Sequence, residues 1–161
     1  MDALAAGMLR RLLDTRPVGA LATLHRGEPA VSMVPFVLAA DGVQLLIHVS
    51  ALATHTRDMQ QHPRVGLLVM AETGAAVSPQ ALPRVALQAD ALALARDSDA
   101  YAAARTAYLQ RFPDAAPTFE LADFSMLALR PVSARLVAGF GSAHSLAGEA
   151  LAVWLRGGIQ T

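Results

Sequence analysis

The chain has 161 residues, 54% hydrophobic and 16% charged, with 13 basic side chains against 13 acidic ones. That length and apolar content exclude disorder and suit one domain over residues 1–161. The charge balance excludes the basic stripe that nucleic-acid binding requires. Cysteine is absent, which removes disulfides, thiol nucleophiles and thiolate metal sites and fits a cytoplasmic protein. Lysine is absent too, and every basic side chain is arginine. A Schiff-base lysine and a P-loop are therefore excluded, and any phosphate must be held by arginine, hydroxyls and backbone N–H groups. So few charges on so apolar a chain call for a homo-oligomer that buries surface between copies.

In chain order, Leu4, Met8, Leu9, Leu12 and Leu13 recur at helical spacing, which predicts a helix ending before Pro17. It does not read as a signal peptide, and no apolar run reaches the roughly 18 residues of a membrane span. Residues 17–25, 30–38 and 43–49 read as three strands joined by turns at 26–29 and at Ala40-Asp41-Gly42, an antiparallel meander. A short helix over 54–61 follows, then strands over 64–71 and 84–95. A second helix spans 97–112, with Asp97 or Ser98 as its N-cap. Residues 124–138 form a last strand or strand pair split at Pro131, and 145–156 read as a terminal helix. Strands dominate and helices sit at hairpin junctions, which favours a closed antiparallel barrel over a doubly wound fold.

Three segments carry the chemistry. The run from His48 to Met59 ends a strand at Ser50 and opens a helix with Thr56 and Arg57 in its first turn. A cation there opposes the helix dipole unless an anion sits at that terminus. From the local pattern alone, the favoured reading of Arg57 is a solvent-facing side chain or a partner of Asp58 or Asp41. The run Val31-Ser-Met-Val-Pro35-Phe places a proline in a strand, at an edge, a bulge or a place where a ligand meets backbone. Gly139-Phe-Gly-Ser-Ala-His144 has the outline of a dinucleotide fingerprint, but its third glycine position is His144 and no second strand follows to complete the unit. The five histidines show no zinc-site spacing, and no serine–histidine–acid set is visible.

Taken together, the leading helix, Gly19-Ala-Leu-Ala-Thr-Leu, Pro29-Ala-Val-Ser-Met-Val-Pro-Phe and His55-Thr-Arg-Asp-Met-Gln-Gln-His-Pro-Arg-Val resemble the FMN-binding split-barrel family related to pyridoxamine 5′-phosphate oxidase. The resemblance runs over about residues 4–141. It implies a mainly β, α+β fold, a six-stranded antiparallel split β-barrel with peripheral helices. It further implies a homodimer with FMN in two interfacial clefts and a flavin-dependent oxidoreductase acting on a small-molecule substrate. Ser32, Met33, Val34 and Pro35 would line the flavin ring, and Ser50, Thr56 and Arg57 would hold the phosphate. Oxidases of the family that act on pyridoxamine phosphate carry a basic pair where this chain has Thr56-Arg57. They also have an Arg-Leu-x-Pro ending, unlike residues 154–161 here, so that conversion is not expected. Residues 34–36, 55–57 and 139–144 resemble the haem-utilisation branch, some of whose members bind or degrade haem. On that alternative, His144 is the iron ligand. A non-catalytic flavin-binding dimer is the third reading, and no catalytic residue stands out.

Overall fold

The computed structural model describes residues 2–74 and 76–157. Four α-helices, α1 (Ala3–Thr15), α2 (Thr54–Gln61), α3 (Asp99–Arg111) and α4 (Gly148–Leu155), surround eight strands. The strands are β1 (Val18–His25), β2 (Glu28–Pro35), β3 (Val37–Leu38), β4 (Leu45–Ser50), β5 (Arg64–Met70), β6 (Arg84–Ala93), β7 (Phe124–Gly139) and β8 (Ser142–Ala147). All pairings are antiparallel and all strands join one sheet, in the order β2-β1-β5-β6-β7-β4-β3, with β8 added to β7. The residues from Gly158 onward, where the expected difference in the chain ending continues, lie outside the described residues.

The strand count is eight where the sequence predicts six, for two physical reasons. The run over 30–38 breaks because Pro35 has no N–H to continue a ladder. Residues before it pair with β1, and Val37 and Leu38 pair with β4. The predicted helix over 145–156 begins only at Gly148; Ser142–Ala147 instead pairs back on β7 after a turn in which Gly141 has φ +74°. Small polar residues and alanines carry little β signal of their own, and the open edge of β7 decides their conformation. β7 itself is continuous through Pro131. Gln88 pairs with Ser133 and Ala89 with Pro131, so the ladder steps over Val132 as a bulge that accommodates the proline.

Inside the curl, the apolar side of α1 (Ala5, Ala6, Leu9, Leu12, Leu13) packs with Leu21, Val34, Phe36, Ile47, Leu67 and Leu129, and α4 adds Leu151, Trp154 and Leu155. Asp2 caps α1 by accepting from the Leu4 and Ala5 N–H groups. At its far end, the Arg111 guanidinium donates to the Asp14 and Arg16 carbonyls, a cation where the helix dipole favours one.

A second core lies on the other side of β4 and β7. There α3 and a 3-10 helix (Pro113–Glu120) bury Val37, Leu46, Tyr101, Tyr108, Phe119 and Met126. β4 is thus covered on both faces, which brings His48 to 8% exposure. Its ring stacks on Phe119 at 3.8 Å between centroids. Thr118 Oγ1 donates its proton to the Ala115 carbonyl, so His48 Nδ1–H donates to Thr118 Oγ1 and Nε2 is left as a bare, unpartnered lone pair. Burial, with Arg96 nearby, pushes the His48 pKa from 6.5 down to about 4. Between those values the unfolded chain binds a proton that the folded chain refuses, so stability falls as pH drops through that window. Urea midpoints are expected to decline for the wild type from pH 6.5 to pH 4. His48→Phe should flatten that decline and change stability at pH 7 by no more than about 1 kcal/mol. Equal slopes for the two proteins would assign the pH dependence to another group.

Candidate functional site

β4 ends at Ser50, and the chain reverses into α2 over three residues. The Ser50 carbonyl accepts from the Ala53 N–H at 3.1 Å and from Thr56 Oγ1 at 2.7 Å. α2 then lies across β1, burying Thr56, Asp58 and Met59. Ala53 stands at the N-cap position and offers no side-chain oxygen to the first turn.

Beneath α2, Asp58 is buried and accepts from Thr23 Oγ1 at 2.9 Å and pairs with His25 Nδ1 at 2.8 Å. The bond from His25, reinforced by Thr23, holds the Asp58 carboxyl below the usual carboxylate range. On the neighbouring turn, His55 Nδ1 lies 3.1 Å from Ser32 Oγ. Burial lowers the His55 pKa and the Asp58 charge opposes that shift. Serine, histidine and aspartate thus meet here, but Asp58 bonds His25 and not His55, so no relay reaches Ser32.

The seven residues expected at a flavin site lie on β2, at the end of β4 and in the first turn of α2, and face different ways. Ser32 reaches α2 through His55, Val34 is in the core, and Met33 projects outward with 63% exposure. Pro35 is half-buried at the end of β2, beside Phe36. Met33 lines a cavity of about 570 Å³ on the outer face of β1 and β5, with Val18, Ala20, Leu68, Met70 and the Arg16–Glu72 ion pair. The Ser50 hydroxyl donates to Asp123 Oδ2 at 2.7 Å and accepts from the Leu52 N–H at 3.1 Å. Thr56 is buried with its proton on the Ser50 carbonyl. Arg57 is exposed and contacts the Leu52 carbonyl at 3.3 Å; neither Asp58 nor Asp41 is its partner. Two of the three donors expected to hold a phosphate are therefore committed within the protein, and a carboxylate stands beside one of them. That arrangement does not fit a phosphate.

His144 lies on β8 with its ring 5.0 Å from Trp154. Its Nε2 is 3.2 Å from Ser142 Oγ and 3.6 Å from Asp2 Oδ2. Both lie on the Nε2 side, and Nδ1 has no partner among the described residues. This is the second-shell pattern of a ligating histidine, so the donor chemistry fits an iron ligand. His144 does not line the cavity that holds Met33.

Sequence reasoning did not find Asp123, His25, Arg16 or Glu72 as parts of this region. Asp123 lies 73 positions from Ser50 and His25 lies 33 from Asp58, and no local pattern links such pairs. His55 and Asp58 stood within the quoted run, but the burial that gives them partners is tertiary.

The pyridoxamine 5′-phosphate oxidase family profile matches residues 7–138. The chain belongs to that family. It is 33% identical over 144 residues to the chloroplastic heme oxygenase HOZ of Arabidopsis thaliana, and covers 88% of this chain and 42% of that protein. It is 31% identical over 133 residues to the heme oxygenase HutZ of Vibrio cholerae, across 81% of this chain and 74% of the relative. Among solved structures, a heme binding protein from Mycobacterium smegmatis superposes with a TM-score of 0.82 at 33% identity, over 92% of this chain and 60% of the other. The chain thus spans less than half of the Arabidopsis relative and about three-fifths of the mycobacterial one. The antiparallel split barrel expected from the sequence is the observed fold, close to the haem-utilisation branch.

Replacing Asp58 by alanine removes the acceptor shared by Thr23 and His25 and leaves the buried Thr23 hydroxyl without it, while His25 is half-exposed. Amide exchange over α2 is expected to quicken roughly tenfold, the scale of a lost charge-assisted bond. Because the Asp58 carboxyl is held below its ordinary value, this contribution is present above the unfolded carboxylate pKa and lost as pH falls through the folded one. Unaltered exchange in α2 would show that the helix is anchored by Met59 and Thr56 alone.

Proposed function

We propose that this protein binds haem, with His144 as the iron ligand. The observation that carries this reading is the pair of relatives named heme oxygenases, at 33% and 31% identity over most of the chain. Two features of the chain support it: an imidazole with one free nitrogen backed by Asp2 and Ser142, and an end of the barrel whose hydroxyls are unavailable to a phosphate. Bound haem would supply iron for oxygen and electron chemistry. The chain's own part is to hold His144 in place through Ser142, Asp2 and Trp154. The flavin-dependent oxidoreductase reading draws its support from the family description and loses it at Ser50 and Thr56. Titration with hemin is expected to give a Soret band that saturates, and His144→Ala to abolish or shift it. Decay of the band on adding a reductant in air would separate haem degradation from storage. No Soret band at all would end the haem reading.

We also propose a homodimer formed through the outer face of β1, β2 and β5. Val31 is 73% exposed and Met33 63%, and Val18, Leu24 and Met70 are exposed beside them. The paired register sets Val31 next to Ala22 and Gly66, so a low floor runs between larger apolar side chains. An apolar patch of this kind on a chain with few charges is what an interface between copies buries. Sedimentation is expected to show a dimer for the wild type and a monomer for Val31→Glu. A dimer that tolerates Val31→Glu would move the interface elsewhere.

A further inference from the structure

We infer that Asp123 is a selectivity residue that keeps phosphate-bearing flavins out of the corner formed by the end of β4, the start of α2 and the segment 121–124. The inference rests on the chain's place in the split-barrel family, not on the haem reading. Three observations carry it. First, the Ser50 hydroxyl has one proton, and that proton is given to Asp123 Oδ2 at 2.7 Å, while its oxygen accepts from Leu52. Ser50 therefore offers an incoming phosphate no donor.

Second, the backbone that carries the carboxylate is tied in place. The Asp123 carbonyl accepts from the Ala51 N–H at 2.7 Å. On either side, Arg96 Nη2 donates to the carbonyls of Leu121 at 2.9 Å, Ala122 at 3.4 Å and Phe124 at 2.6 Å. Asp123 is thus carried on tied backbone, and its carboxylate is held by the bond from the Ser50 hydroxyl.

Third, the corner's two cations are turned to backbone, Arg57 to the Leu52 carbonyl and Arg96 to the carbonyls of segment 121–124. Neither guanidinium bonds the Asp123 carboxylate, which stands against the Ser50 hydroxyl, and its like-charge contact disfavours a dianion at that hydroxyl. The fold keeps the family's barrel while this corner refuses the anionic handle by which a flavin nucleotide would be held. A flavin without a phosphate meets no such penalty.

The test is a fluorescence titration of FMN and of riboflavin into the wild type, Asp123→Ala and Asp123→Asn. The alanine variant frees the Ser50 proton and removes the charge. It is expected to bind FMN at least about tenfold more tightly than the wild type, with riboflavin unchanged. The asparagine variant keeps an acceptor for Ser50 and loses only the charge, so it should gain part of that affinity. It also carries the test should the alanine variant fail to fold, as judged by circular dichroism. Tight FMN binding by the wild type would overturn the proposal. So would an alanine or asparagine variant with no gain for FMN, or with equal gains for FMN and riboflavin. Hemin titration of the same variants keeps the two readings apart, because the haem band belongs to His144 and should not respond to Asp123.

Discussion

The structure depends on a join one residue long. β2 and β3 are the two edge strands of the sheet, and only Phe36 separates them in the chain. From Pro35 to Val37 the chain takes two Cα steps and spans at most about 7 Å. The end of one edge strand is therefore held to the start of the other, which a flat sheet of this order does not permit and a curled one does. Pro35 has no N–H to carry the ladder across, and the Phe36 N–H turns instead to the Pro17 carbonyl at 3.1 Å. The barrel closes by chain connection, with the ladder broken at the seam, and its interior is filled by the Phe36 ring and the apolar side of α1.

Closure leaves two outer faces, and the sequence treats them differently. Over β3, β4 and β7, α3 and the 3-10 helix build a second core whose aromatic side chains press on His48. Over β1, β2 and β5, Val31 and Met33 are left exposed by the described residues. β4 belongs to both cores, so its end at Ser50 is held from two sides, and the turn into α2 inherits that rigidity. The corner beside Ser50 is consequently built on fixed backbone, which is what makes a single carboxylate there decisive.

Much of the fold was legible because it depends on short-range signals. α2 occupies the predicted residues 54–61, and Ser98 caps α3 by accepting from the Tyr101 N–H, one of the two caps expected. The Asp41-Gly42 turn forms between β3 and β4, with Asp41 Oδ1 accepting from Val43 and Gln44. What escaped were elements defined by their partners. β8 is a strand because β7 has an edge to offer, and the 30–38 run divides because its halves face different neighbours. The site divides in the same way. Ser32, Met33, Val34, Pro35, Ser50, Thr56 and Arg57 were identified as a group from the order of motifs; Ser32 meets α2 through His55 and Thr56 bonds the Ser50 carbonyl, while Val34 is in the core and Met33 faces outward. Whether a hydroxyl in that group is free depends on Asp123 and on the depth to which Thr56 is buried, and neither can be read from residues close in sequence.

The same reasoning explains how a chain with 13 basic residues and no lysine can present so little positive charge to a ligand. A guanidinium is a planar fork of five donors, well suited to gathering carbonyls that point the same way. Arg96 gathers three carbonyls at the 121–124 segment and Arg111 two at the end of α1. Arg84 donates to Leu82 at 2.9 Å, and Arg57 to Leu52. Others are matched to carboxylates, as Arg64 to Asp90 at 2.6 Å and Arg10 to Asp14 at 2.7 Å. These arginines act as structural clamps whose charge is turned toward the protein's own oxygens. A split barrel that recruits its cations in this way keeps its shape while giving up affinity for a phosphate. Ligand choice in this fold is then set by a few side chains at the rim, while the barrel itself stays the same.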